Sequence, residues 1–212
     1  MLTVLVDYDG GNLHSAQKSF ERVAAETGGG TVLVSRDAAD VARADRLVLP
    51  GDGAFAACRA ALAAETDLSG ALADAVLRRA VPFLGICVGM QMMADLGREH
   101  GDTPGFGWIG GTVEPLEPGA ARLKVPHMGW NDLVTDRAHP LLAGIETGDH
   151  AYFVHSYQFC LADPADLLAH AEYGGPVTAI IARANVAGTQ FHPEKSQKTG
   201  LRLIANFLHW RP

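Results

Sequence analysis

Apolar and polar positions alternate between two rhythms in the first half of the chain. Leu2–Val6 is an apolar run of strand length. Leu13, Ala16, Phe20 and Val23 then recur at the spacing of a helix with one buried face. Gly28-Gly29-Gly30 breaks the pattern, Thr31–Ser35 reads as a second strand, and Arg46–Pro50 as a third, followed by Gly51-Asp52-Gly53. Ala54–Ala64 and Ser69–Ala80 read as helices, with Ser69 placed as an N-cap. Val81–Ile86 predicts a fourth strand, and Met90–Ala94 a helix soon after it. Strands alternating with helices imply βαβ units and a parallel sheet with right-handed crossovers.

The second half changes character. Trp108–Leu116, Arg122–Pro126, Ala151–Phe159, Leu167–Tyr173, Val177–Arg183 and Val186–Phe191 read as strands joined by short turns, among them Gly174-Gly175-Pro176 and Arg183-Ala184-Asn185. A closing helix places Leu201, Ile204, Ala205 and Leu208 on one face. The reading is therefore α/β: an open, mostly parallel sheet flanked by helices, with added antiparallel strands. No linker, repeat or low-complexity segment divides it, so residues 1–212 are expected to form one domain.

Composition narrows the function. A chain of 212 residues that is 48% hydrophobic and 19% charged has enough apolar material for a substantial core. The net charge of −7, with no Lys/Arg cluster, argues against nucleic acid as a partner. No uncharged run approaches the roughly 18 residues of a membrane span. Met1–Asp7 runs directly into a strand and lacks the basic segment and cleavage site of a secretory leader. Three widely spaced cysteines, Cys58, Cys87 and Cys160, suit reduced thiols in a cytoplasm rather than a disulfide framework. No Cys-x-x-Cys or His-x-x-x-His pair points to a metal, and nothing calls for a cofactor.

The candidate chemistry lies in Gly85-Ile86-Cys87-Val88-Gly89. Gly-x-Cys-x-Gly between a strand and a helix has the form of a nucleophile elbow. Such a turn lifts the side chain out of the sheet, and flanking glycines let neighbouring segments approach. The helix that follows aims its first amides at the sulfur, which favours the thiolate, and the Val88 amide becomes a donor for an oxyanion. A free cysteine is more often a small buried apolar residue. Cys58 reads that way, and Cys160 likewise as core or edge. A thiol nucleophile needs a base and the base an orienting group. His192-Pro193-Glu194 supplies both at a strand end, where proline stiffens the turn. Alone, that tripeptide would read as a surface loop; with the elbow it completes a triad at the sheet's carboxyl edge.

Together these motifs resemble the class I triad glutamine amidotransferases. Asp7–Leu13, Leu49–Phe55, Gly85–Gln91, His100–Gly107, Pro126–Asn131, Phe153–Tyr157 and Gln190–Gln197 are similar to the glutaminase subunits of imidazole glycerol phosphate synthases, over nearly the whole chain. The resemblance implies that Cys87 attacks the side-chain amide of L-glutamine, that His192 protonates ammonia and then activates water, and that Glu194 orients His192. It assigns the oxyanion hole to Val88 and the Gly51-Asp52-Gly53 loop, and glutamine binding to Gly53, Gln91, Glu99, Ser156 and Tyr157. Gln91 and Glu99 suit an α-amine, which needs acceptors and negative charge, although exposed Gln and Glu are the default. The implied partner is a (β/α)₈ cyclase subunit in a 1:1 heterodimer, which takes the ammonia to make imidazole glycerol phosphate and an aminoimidazole carboxamide ribotide. Asn12, Met128, Trp130, Tyr152 and Lys195 are the implied docking residues. Met90, Met92 and Met93 read as core filler.

The chain departs from the family pattern in two places: Asp52 stands where an apolar residue, often Val, is usual, and the stretch Gln158-Phe159-Cys160 replaces an aromatic and small-residue pattern. Competing readings are another triad glutaminase, which Pro126–Asn131 and Lys195–Gln197 disfavour; a non-catalytic regulatory subunit, which the intact Cys87, His192 and Glu194 disfavour; and a cysteine peptidase, which gives no reason for Gln91 and Glu99.

Overall fold

A computed structural model describes residues 1–11, 13–117, 119 and 123–212. Its centre is an eight-stranded sheet. Strands β1 (Leu2–Val6), β2 (Thr31–Ser35), β3 (Arg46–Gly51) and β4 (Phe83–Cys87) come from the first half of the chain. From the second half come β9 (Val134–Thr135), β12 (Leu167–Glu172), β13 (Pro176–Arg183) and β14 (Val186–Thr189). The order is β2-β1-β3-β4-β14-β13-β12-β9. Pairing is parallel from β2 through to β14 and antiparallel from β14 outward. The expected mixed architecture is thus found, with the change of direction beside β4. Strands β3 and β4 are buried at every residue, as a parallel sheet covered on both faces requires.

Helix α1 (Leu13–Thr27) packs on the closing helix α6 (Gln197–His209). Their contact includes Phe20 edge-on to Phe207 at 6.4 Å. The buried residues of α6 are Gly200, Leu203, Ile204, Phe207 and Leu208; of the expected stripe, Leu201 and Ala205 lie at its margin. Helices α2 (Ala38–Ala42), α3 (Phe55–Ala64) and α4 (Thr66–Ala73) form another group. Helix α2 escapes the apolar pattern. It is short, and its start is marked by Asp37, whose carboxylate accepts from Ala39 N at 2.8 Å.

Ser69 is not an N-cap. Glu65, at φ −89° and ψ 73°, breaks the chain between α3 and α4. Ser69 N already donates to the Glu65 carbonyl at 2.8 Å, inside the helix. The remainder of that stretch winds into a π-helical turn, Asp74–Arg78. Helix α5 is also shorter than its apolar run implies: it covers Val88–Gln91. One turn has little macrodipole, so its contribution at Cys87 is the free amides of its first residues.

Smaller sheets cover the carboxyl edge. A four-stranded sheet runs in the order β11 (Tyr157–Leu161), β7 (Gly111–Pro115), β5 (Leu96–Gly97), β6 (Thr103–Pro104). A two-stranded ribbon pairs β8 (His127–Asp132) with β10 (His150–His155). The expected single strand Ala151–Phe159 is therefore two strands in different sheets, parted at Ser156. Of the expected Trp108–Leu116 only Gly111–Pro115 is strand, because Trp108 and Ile109 turn back to donate to the Met93 carbonyl. Leu123–Pro126 is not a strand, and Arg122 lies outside the described residues. Val186–Phe191 ends as strand at Thr189.

Candidate active site

Register builds this site. In the parallel pairs, Ile86 of β4 faces Thr189 of β14 on one side, and Cys87 faces Gly51 of β3 on the other. Three chain segments therefore leave the sheet at one level: the loop after Gly51, the elbow at Cys87, and the run from Gln190 to Glu194. Cys87 adopts φ 55° and ψ −114°, a strained backbone for a side chain with a Cβ. A Cβ at Gly85 would collide with the backbone of Gly89, and one at Gly89 with the carbonyl of Leu49. Those two glycines let α5 fold back against β3 and β4, which forces the cysteine into its turn.

Cys87 is 5% exposed and opens onto a cavity of about 240 Å³. Asp52, Gly53 and Val88 line it near the sulfur; Gln91, Glu99, Ser156 and Tyr157 line the rest. Pro126, Val154 and His155 complete the wall. Apart from Gly51 at the root of the oxyanion loop, the residues expected to hold glutamine or an oxyanion therefore border one cavity. A larger depression of about 510 Å³ lies along α1 and α6 and contains none of these groups.

His192 sits behind the sulfur and is 5% exposed. Its backbone is clamped: its N–H donates to the Tyr152 carbonyl at 3.1 Å, and its own carbonyl accepts from Ser196 Oγ at 2.7 Å. Nδ1 lies 2.9 Å from Glu194 Oε1. Because a carboxylate accepts, Nδ1 carries the proton and Nε2 is left for Cys87. Burial opposes charge on His192, but the hydrogen bond to Cys87 and then that to Glu194, with the charges of both, raise its pKa to about 10. An imidazolium beside Sγ is the counter-ion a thiolate nucleophile needs. Glu194 Oε2 is buried without a hydrogen-bond partner among the described residues.

Glu99 has a second duty. Its Oε2 accepts from Phe55 N at 2.7 Å, capping α3 from a distant segment where Ala54 provides no side-chain cap. That bond also ties down the far end of the Gly51–Gly53 loop. The near end is held by Tyr8, whose hydroxyl donates to the Pro50 carbonyl at 2.8 Å. Cys58 holds the middle, its Sγ donating to the Asp52 carbonyl at 3.4 Å. Cys58 is buried as expected, and burial pushes its pKa up. Cys160 is exposed on β11, an edge strand. Asp52 is exposed, and its carboxylate makes no ion pair among the described residues. Gly53, at φ +99°, occupies a conformation that favours glycine.

Known proteins match this chain over nearly its whole length. Residues 11–210 match the family model of class-I glutamine amidotransferases. Imidazole glycerol phosphate synthase subunit HisH of Cereibacter sphaeroides is 68% identical over 212 residues, covering all of both chains. HisH of Ruegeria pomeroyi is 59% identical over the same span, again covering all of both chains. The chain belongs to the HisH family of class-I glutamine amidotransferases. The fold is matched by more distant structures. A glutamine amidotransferase superposes at a TM-score of 0.72, with 18% identity and 98% of each chain covered. The glutaminase domain of Trypanosoma brucei CTPS superposes at 0.66, with 14% identity, covering 97% of this chain and 92% of that one.

The residues that pattern reading missed are those joining the site's parts. Gln190 is fully buried and reaches Cys87; His155 lines the cavity and pairs with His127. Gln190 opens the Gln190–Gln197 stretch and stands two residues before His192, the strand period, but neither signal marked it as a contact of Cys87.

Proposed function

We propose that residues 1–212 act as one amidotransferase domain, the glutaminase subunit of imidazole glycerol phosphate synthase in histidine biosynthesis. The observation that carries this is the meeting of Cys87, His192 and Glu194 at a cavity lined by Gln91 and Glu99. The Cys87 thiolate attacks the side-chain carbonyl carbon of L-glutamine. The oxyanion so formed is met by the Val88 amide, which opens α5 and has no intrahelical partner, together with amides of the Gly51-Asp52-Gly53 loop. His192 gives its proton to the amide nitrogen, the C–N bond breaks, ammonia leaves, and a γ-glutamyl thioester remains.

Thioester formation removes the negative sulfur that holds His192 charged. Its pKa then falls, and Nε2 becomes a base for the attacking water, with Glu194 still fixing Nδ1–H. Water adds, the C–S bond breaks, and glutamate leaves. A histidine raised to about 10 in the resting site is thus an acid first and a base second, switched by the charge on its neighbour. For the substrate α-amine, Gln91 offers its carbonyl oxygen, since its amide is committed inward. Glu99 offers negative charge, and the backbone at Ser156 and Tyr157 receives the α-carboxylate.

Ammonia then passes to the (β/α)₈ cyclase subunit. The β8–β10 ribbon supports a docking role. Its outer face carries Met128, 61% exposed, and Trp130, 47% exposed. Trp130 lies edge-on to Tyr152 at 5.9 Å. Val154, on the same face, lines the cavity, so a partner seated there closes the mouth against water. Apolar faces of this kind mark interfaces. Lys195 follows the triad turn and makes no ion pair among the described residues, leaving it for an acid on the partner. Asn12 lies outside the described residues. We place the protein in the cytoplasm; its cysteines are free, and no described helix is long and apolar enough to cross a membrane. Glutamate release by the purified chain, with and without the cyclase subunit and its ligand, tests the reading. No release under either condition refutes it.

A further inference from the structure

Gln190 is 0% exposed and stands just beyond the end of β14, level with Cys87. Its Nε2 lies 3.7 Å from Cys87 Sγ. Its Oε1 accepts from Gln91 Nε2 at 3.0 Å. Gln91 Nε2 also donates to the Tyr157 carbonyl at 3.1 Å.

The direction of these bonds is not free. A backbone carbonyl can only accept, so Gln91 turns its NH₂ toward Tyr157. The same NH₂ faces Gln190, so Gln190 turns its oxygen to Gln91 and its own NH₂ to the sulfur. The Tyr157 carbonyl has a second lone pair, which takes His155 Nδ1–H at 2.8 Å. His155 Nε2 is then an acceptor for His127 Nδ1–H at 3.0 Å. His127 Nε2 in turn accepts from Asn131 Nδ2 at 3.2 Å. One carbonyl therefore sets the polarity of a chain of bonds running from the β8 strand to the nucleophile.

We propose that Gln190 is a further catalytic residue, whose amide donates to the Cys87 sulfur to favour the thiolate while its carbonyl holds Gln91 with an oxygen free for the substrate amine. The chemistry supports this. An N–H on a fully buried side chain needs a strong acceptor, and a thiol is a weak one. A thiolate satisfies that donor, so burying Gln190 against Sγ favours the charged sulfur. The same side chain then couples nucleophile and amine pocket, which lie on opposite sides of it. The inference rests on the glutaminase reading for the substrate's identity, but the sulfur contact is testable without turnover.

The test uses the full chain. Iodoacetamide labelling of Cys87 is followed by peptide mass spectrometry across pH, beside kcat and KM for glutamine in the presence of the cyclase subunit. Gln190→Met keeps the length and removes the donor. Its labelling profile is expected to move to higher pH, with labelling about tenfold slower below the inflection. KM for glutamine should rise severalfold as Gln91 loses its anchor. Gln190→Glu donates only while its carboxyl is protonated, so its labelling rate relative to wild type is expected to fall as pH rises. A Gln190→Met profile lying on that of the wild type overturns the proposal. Should Gln190→Met lose its native circular dichroism, a pH-independent ratio for Gln190→Glu overturns it instead. Failure of the glutaminase reading is distinct: the wild-type complex then releases no glutamate, whatever the labelling shows.

Discussion

Acid should weaken this protein through His127 and His155. Both are buried, and burial is the first cause of a pKa lowered to about 4 in each. Their hydrogen bonds demand neutrality, since His155 Nε2 accepts from His127 Nδ1–H. In the unfolded chain each titrates near 6.5. The folded pKa is the depressed one, so the stability linked to these groups is complete above about 6.5. It is lost as pH falls toward 4, where the unfolded chain binds protons that the fold refuses. At about 1.4 kcal/mol per unit the loss approaches about 3 kcal/mol for each ring by pH 4, against a total stability typically of about 5–15 kcal/mol.

The variant His127→Phe tests this. It keeps a ring in the stack between Phe153, at 4.7 Å, and Tyr173, at 4.0 Å, and removes one titrating group. At pH 7.5 it should be less stable by about 1–3 kcal/mol, because His155 Nε2 and Asn131 lose a partner. Between pH 6 and 4.5 its stability should fall less steeply than that of wild type, by about one proton, or about 1.4 kcal/mol per pH unit. Urea unfolding followed by circular dichroism at several pH values gives both numbers. Parallel stability curves for variant and wild type would refute the reasoning, since they would mean that His127 is not held neutral by the fold.

Cys87→Ala should abolish glutamate release while leaving the fold intact, and the complex should still form product from added ammonium salts. Glutaminase activity retained by that variant sinks the assignment. The same substitution should flatten the alkaline side of the stability curve. His192 has a raised pKa, so its contribution is full below about 6.5 and is lost as pH climbs toward 10; without the sulfur the loss shrinks, as urea midpoints from pH 7 to 9.5 would report. Asp52→Asn should speed hydrolysis by the free subunit by at most about fivefold, the effect of one exposed charge near a forming oxyanion; equal rates, free and bound, rule out an electrostatic role. Trp130→Ala should weaken association with the cyclase subunit. Lys195→Ala should weaken coupling of cyclase ligand to glutamate release more than it lowers stability. Wild-type affinity and activation in both variants would place the docking face elsewhere.

What the sequence by itself determined is what neighbouring residues decide among themselves. The first four strands, α1 and α6 follow from short apolar periods. The elbow follows from Gly85 and Gly89 around one cysteine, and the proposed base with its proposed orienting acid from residues two apart. These are local constraints, legible because strand, turn and helix lie in unbroken succession. Tertiary structure decided the rest. Ser69 lost its cap because Glu65 broke the chain first, and Ala151–Phe159 parted at Ser156 because its halves pair with different partners, β8 and β7. The β8 strand, His127–Asp132, carries a motif but no strand signal of its own; its pairing comes from β10, more than a helix-length further along the chain. Glu99 became the cap of α3, and Gln190, His155 and His127 became functional candidates, only once pairing set Gln190 against Cys87, His155 against Tyr157 and His127 against His155. The direction in which an amide or imidazole points is set by a carbonyl far away in sequence, and no period along the chain encodes that.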